Sequence, residues 1–179
     1  MRRVLVAALI LTVLAWVAWR VASHPRAPHA PPAAGADSAS AGLQLVQVYF
    51  ASPGADSLVS ETREVAEAAT LHDRVAGLVR ELDRGPTRGG VAVLPAGTSA
   101  VFAYQDPNGL LTVDLSRSLV QGFQGGSSTE YLAVASLVRT LAANMSGVKR
   151  ILLVCGGEPM ATLGGHLPLD RPMDVSDWP

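Results

Sequence analysis

The sequence holds one cysteine, Cys155, so no intrachain disulfide can form, and cysteine usage leaves the redox compartment open. Lysine is almost absent: Lys149 stands alone among 14 basic residues. Basic residues do not outnumber the 15 acidic ones, which excludes a nucleic-acid-binding protein of the usual basic kind. Aromatic residues make up 5% of the chain, so few rings are free to stack on a glycan; Tyr104, Phe123 and Trp178 are the candidates. The glycines at Gly122, Gly125 and Gly126 precede a helical pattern, where backbone amides can hold an anion. The lysine of a nucleotide-binding P-loop is missing there, and a loop with an ordinary helix cap is the plainer reading.

What the chain has is a division of labour along its length. Residues 1–42 carry Arg2, Arg3, Arg20 and Arg26 against a single acid, Asp37. The remaining 137 residues carry ten basic and fourteen acidic side chains, a net of −4. Val4 to Trp19 contains neither a charge nor a breaker and has no polar face. As a helix, this run spans about 24 Å. Extended to Ala22, with Arg20 reaching the headgroups, it approaches the roughly 30 Å of a hydrocarbon core. Residues 1–22 therefore read as a single-pass anchor, or as a signal peptide cleaved after Val21-Ala22-Ser23. Arg2 and Arg3 stay on the cytoplasmic side, and Trp16 and Trp19 lie at the outer interface. Both alternatives place the rest of the chain outside the cytoplasm, behind the cytoplasmic membrane. No cysteine lies near the end of the run, which argues against a lipoprotein.

Residues 23–42 read SHPRAPHAPPAAGADSASAG and form a linker. Four prolines favour extended polyproline II at about 3.1 Å per residue, so the segment reaches up to roughly 60 Å. It lacks large apolar residues and cannot build a core. His24 and His29 are read as parts of this solvated spacer.

Residues 43–179 read as one domain. Val46, Val48 and Phe50 alternate with polar neighbours, which predicts a strand over 44–51. Leu58 to Val65 reads as a second short strand. Thr70 with Asp73 resembles a capping box, and Leu71, Val75, Leu78, Val79 and Leu82 form one stripe of a helix that Gly85-Pro86 stops. Ala100–Gln105 and Leu110–Leu115 flank Asp106-Pro107-Asn108-Gly109, a hairpin signal. Ser127 with Glu130 reads as a capping box opening a second long helix to Met145. The stripe of that helix is Tyr131, Val134, Leu137, Val138, Leu141 and Met145. Ile151–Cys155 is fully apolar, hence a central strand, with Cys155 a small hydrophobe within it. A weak hairpin is expected around Leu163 and Leu167–Leu169. The order β(β)αββαβ predicts an α+β fold, two helices packed on one face of a mixed sheet.

The stretches VQVYF (46–50), LVSETREV (58–65), LVRELDRGP (78–86), LPAGT (94–98), LTVDLS (111–116), VKRILLVCGGEP (148–159) and LGGHLPLD (163–170) together resemble the GerMN domain family of bacterial sporulation and germination proteins. The resemblance covers most of residues 44–172. It implies a fold similar to ring-building domains of secretion-type assemblies. It also implies a scaffold role without catalysis, cofactor or metal.

The residues offer little to set against that. Asp114 and Ser116 have no histidine near in sequence, and Asp114 is expected to cap the following turn. A hydrolase would need His72 or His166 within about 3 Å of a nucleophile or metal ligand; His166 with Asp170 is the nearest approach to such a pair. One helix face stands out. Ala133, Ser136, Thr140 and Ala143 are small and uncharged where a solvated face would carry charge. They are the candidate interface, to envelope proteins or to a second copy, unless they make a second contact inside the domain. The function expected is a membrane-tethered extracytoplasmic interaction domain. The alternative is a module binding cell wall or a small ligand, for which the sequence offers no pocket-forming motif.

Overall fold

Alternation along the first strand decides where the core begins. In the computed structural model, which describes Trp16 and residues 42–179, β1 (Leu43–Ala51) turns Val46, Val48 and Phe50 inward. It pairs antiparallel with β2 (Leu58–Ala66), and the two form a sheet of their own. α1 (Leu71–Asp83) starts where its sequence signals: the Thr70 hydroxyl accepts from the Asp73 amide at 3.1 Å and donates to its carboxylate at 2.7 Å. Arg84 caps the helix, and Gly85 follows at a φ of 79°, a conformation open to glycine.

The second sheet has five strands. β3 (Ala100–Gln105) and β4 (Leu110–Leu115) form the expected hairpin, closed by Asp106, whose carboxylate accepts from the Asn108 and Leu110 amides at 2.9 and 2.8 Å. After a short α2 (Ser118–Gly122) comes α3 (Ser127–Asn144), which carries the chain across to β5 (Arg150–Cys155), parallel to β4. Two-residue strands β6 (Glu158–Pro159) and β7 (Met173–Asp174) pair with β5. The order is β3-β4-β5-β6, with β7 also on β5. The α+β class and the order of elements are as the sequence predicts. The strands, however, are distributed over two sheets. The hairpin expected around Leu163 and Leu167–Leu169 does not form: one backbone bond, from the Leu169 amide to Ala161, joins the two sides, while the Leu163 and His166 amides are engaged by a carboxylate described below.

One core serves both sheets. Val75, Leu78, Val79 and Leu82 of α1 meet Val46, Val48 and Phe50 of β1 and Ala133, Val134, Leu137, Val138 and Leu141 of α3. Leu111, Val113, Leu115, Ile151 and Leu153 supply the second sheet's contribution, and Leu163, Leu169 and Met173 close the end.

α3 accounts for the separation of the sheets. Antiparallel pairing leaves Gln47 and Tyr49 of β1 with backbone groups directed away from β2. The Asn144 side chain accepts from the Gln47 amide at 2.9 Å and donates to its carbonyl at 2.7 Å. Thr140 Oγ1 accepts from the Tyr49 amide at 3.0 Å, and the Ser136 hydroxyl donates to the Tyr49 carbonyl. Thr140 and Asn144, one turn apart, are separated by about 6 Å along the helix, close to the roughly 6.8 Å between Tyr49 and Gln47 on the strand. The helix thus replaces a neighbouring strand. Farther along the same edge, Ala51 accepts from the Val91 amide at 2.8 Å.

A buried ionic cluster ties β2 to the end of α1. Arg63 pairs with Glu61 at 2.7 Å and Glu81 at 3.2 Å and lies 5.0 Å from the Phe50 ring centre. It also donates to the carbonyls of Glu81 and Gly85, at the last turn of α1 where carbonyls lack helical partners. Glu61 accepts from the Thr87 and Arg88 amides, so the chain leaving α1 is held down as well.

Among the described residues no helix is long and apolar enough to cross a membrane. The expected anchor and linker, with His24 and His29, lie, Trp16 and Gly42 apart, outside those residues.

Replacing Asn144 with leucine leaves both backbone groups of Gln47 without partners. Each such group costs about 1–3 kcal/mol. Urea unfolding of Asn144→Leu should show a loss at the upper end of that range, whereas Ala143→Leu, at an exposed neighbouring site, should change little.

Candidate functional site

The small-residue face of α3 is not free. Ala133, Ser136 and Thr140 have no exposed surface, and Ser136 and Thr140 are bonded to β1. Ala143 alone of the four is exposed. The absence of charge on this face follows from the closeness of a strand: short hydroxyl side chains reach its backbone only if nothing larger intervenes. Apart from Glu130, the helix carries one charge, Arg139, which lies 5.5 Å from the Tyr49 ring centre.

Glu130 does not close a capping box. The N-cap is Gly126, without a side-chain bond. The Glu130 carboxylate is instead fully buried and receives the amides of Leu163 and His166, each at 2.9 Å. Nδ1 of His166 lies 3.0 Å from the same carboxylate. Burial pushes this carboxyl up, but the amides of Gly164, His166, Leu163 and Leu167 outweigh it and hold the pKa at about 2. A carboxylate only accepts, so Nδ1 of His166 is the donor. The C-terminal segment is thus wrapped around a fixed negative charge, and His166 faces Glu130, with no bond to Asp170.

The remaining polar candidates stay apart. His72 is half-buried, and its Nδ1 has no partner. Asp114 does not cap its turn; its Oδ1 is buried without a bond. Cys155 is half-buried and packs against the core, as a small hydrophobe does. No grouping of histidine, cysteine and carboxylates able to hold a metal occurs among the described residues. A cleft between α1 and the β1–β2 hairpin is lined by Glu64, Glu67, Arg74 and Arg80, charges of both signs. Of the three aromatics considered for glycan stacking, Phe123 and Trp178 pack against the core, and Trp178 stacks on Tyr131 at 5.2 Å. Only Tyr104 projects.

Tyr104 belongs to a surface that sequence reasoning did not single out. On β3, Val101, Phe102 and Tyr104 are 57%, 59% and 55% exposed. Register places Phe102 beside Asp114 and Val154, and Tyr104 beside Thr112 and Leu152. These residues make the face of the sheet opposite the core. Ala103, between the two aromatics, points inward and is buried. β3 is also the last strand on its side of the sheet, and among the described residues no backbone bond reaches its outer edge. The alternation Phe-Ala-Tyr, with the small residue inward, was the available signal: a strand with its larger apolar residues on the outer face is inverted relative to a simple half-buried strand.

The family model described as "Germane: Sporulation and spore germination" matches residues 47–161. The chain belongs to this family. The match to the Germane model runs from within β1 through β6. No curated protein sequence matches the chain. Among solved structures, the first GerMN domain of the sporulation protein GerM from Bacillus subtilis is similar at 18% identity and a TM-score of 0.61, over 75% of this chain and 99% of that one. The tandem GerMN domains of the same protein give 17% and 0.62, over 75% of this chain and 47% of theirs. The described Germane-type domain thus spans about half of that two-domain structure. A putative lipoprotein from Clostridium perfringens gives 16% and 0.53, over 76% of this chain and 90% of that one. At these identities the likeness is one of fold.

Glu61 shares the behaviour of Glu130. Burial raises its pKa, while Arg63 and the groups of Thr87 and Arg88 lower it further, to about 2. Both carboxyls are depressed from 4.5, so their stabilisation is complete above about pH 4.5 and is lost as pH falls towards 2. Glu130→Gln should lower stability at pH 7 by about 1–3 kcal/mol. The gap between native and variant chains should close as both are titrated towards pH 2 in denaturant unfolding.

Proposed function

We propose that this chain is a membrane-tethered, extracytoplasmic interaction domain that works through protein–protein contacts in the bacterial cell envelope and performs no catalysis. The observation that carries the reading is the exposed apolar surface of β3, where Val101, Phe102 and Tyr104 are all more than half exposed. Contiguous exposed apolar surface on a small domain marks a contact site more often than it is neutral. The polar groups that chemistry would use are otherwise committed: Glu130 and His166 to the C-terminal segment, Glu61 and Arg63 to the end of α1.

Topology supports the setting. An apolar N-terminal run behind two arginines, followed by a proline-rich spacer, fits a domain held at a distance outside the membrane. Membership of the Germane family fits a scaffold in the envelope. The wall-binding alternative is left with Tyr104, since the other two candidate rings are used within the domain.

A photo-cross-linking residue at Tyr104 in the full chain should give protein adducts in intact cells, while the same residue at Thr62, exposed on β2, should give few. A reporter fused after Pro179 should be active outside the cytoplasm. Adducts of equal yield at both sites, or a cytoplasmic reporter, would overturn the proposal.

A further inference from the structure

We infer that the cleft between α1 and the end of β2 binds an extended peptide segment that carries both an acidic and a basic group. The site shares no residue with the exposed surface of β3 and goes beyond the reading given to that surface.

The cleft has a volume of about 410 Å³, within the range of small-ligand sites. Val46, Val65 and Leu78 give it an apolar floor. One wall is the face of α1 that bears Arg74, Gly77 and Arg80, and the other is the last stretch of β2 from Glu64 to Ala66. That stretch offers backbone as well as side chains. Gln47 and Tyr49 turn their amides to α3, and β1 pairs with β2 without a break in register. Alternation along an antiparallel ladder then directs the N–H and C=O of Glu64 and Ala66 away from β1. Both residues are exposed, and no bond from another described residue reaches these groups. Thr62, one step back along the strand, does not line the cleft. An extended peptide lying in the cleft pairs with Glu64 and Ala66 as a third strand, its main chain supplying affinity and its side chains selectivity.

Charge says which peptide. The guanidinium groups of Arg74, which is half-buried, and Arg80 form no hydrogen bond or ion pair with another described residue. The carboxylates of Glu64 and Glu67 form none either. Opposite charges thus line one cleft without neutralising each other. A segment with a carboxylate towards α1 and a basic side chain towards β2 meets both. An apolar strand would desolvate Glu64 with nothing in return, which is how an edge charge turns wrong partners away. Gly77 supplies the room. Glycine weakens a helix interior relative to alanine. No neighbour demands it here, since an added Cβ would meet no atom within 4 Å. The space it leaves belongs to the cleft.

The test pans the full chain, in mild detergent, against a displayed library of short random peptides and measures the recovered peptides by fluorescence anisotropy. Those peptides should carry an acidic and a basic residue. Gly77→Leu, which fills the cleft, and Arg74→Glu should each weaken binding by about tenfold or more. Gly77→Ala adds one methyl group to open space and should bind as the native chain does, and circular dichroism of all the variants should coincide. Methylating the backbone nitrogens of a recovered peptide removes its main-chain donors and should weaken binding as strongly. On the native chain, bound peptide should slow hydrogen exchange at the Glu64 and Ala66 amides. Recovery of no peptide, undiminished binding to Gly77→Leu or by the methylated peptide, or unchanged exchange at Glu64 and Ala66 overturns the inference. Each of these results leaves the cross-linking at Tyr104, and the interaction-domain reading that rests on it, where they stand.

Discussion

The structure depends on how β1 disposes of its second edge. A strand needs partners on both sides or must leave polar backbone groups bare. Here one partner is β2, and the other is a row of three side chains on a helix. That choice has consequences for α3 along its length. Its residues facing β1 must be short, polar at 136, 140 and 144, and free of charge. The other faces of the helix meet α1 and the second sheet, so α3 is buried nearly all round. It also explains why the strands form two sheets: the position where another strand would continue β1 is occupied by a helix.

Two buried carboxylates hold the periphery onto this frame. Glu61, through Arg63 and the amides of Thr87 and Arg88, pins the chain that leaves α1. Glu130 gathers the amides of the C-terminal segment. Neither is a simple ion pair. Burying a charge is costly, and a lone pairing seldom repays it. What makes these sites tenable is the number of directed hydrogen bonds per carboxylate, several from backbone that would otherwise be bare. They act as fasteners for irregular chain, and their titration links the order of two loops to acid conditions.

Much of this was legible in sequence, for identifiable reasons. The alternation of Val46, Val48 and Phe50, the Thr70–Asp73 cap, Gly85-Pro86 and Asn108-Gly109 are local signals, and local geometry settled them. The failures are long-range. Glu130 stands three residues after Ser127, the spacing of a capping box, yet its partners lie more than thirty residues on. The expected hairpin near Leu163 was lost for the same reason, since its amides were already taken. The uncharged face of α3 was equally compatible with an internal contact or a docking face; only the position of β1 separates the two. The β3 surface was missed because a strand with aromatics on its outer side looks, in one dimension, like any alternating strand.

The fold rests on the edge of β1 that a helix closes, and the functional reading on the exposed side chains of β3. The fold's central feature is that α3 closes the outer edge of β1. Residue-resolved amide hydrogen exchange measures this directly. The Gln47 and Tyr49 amides should exchange only through global unfolding, as those bonded within the β1–β2 ladder do. Fast exchange at Gln47 and Tyr49 while the rest of β1 stays protected would contradict it.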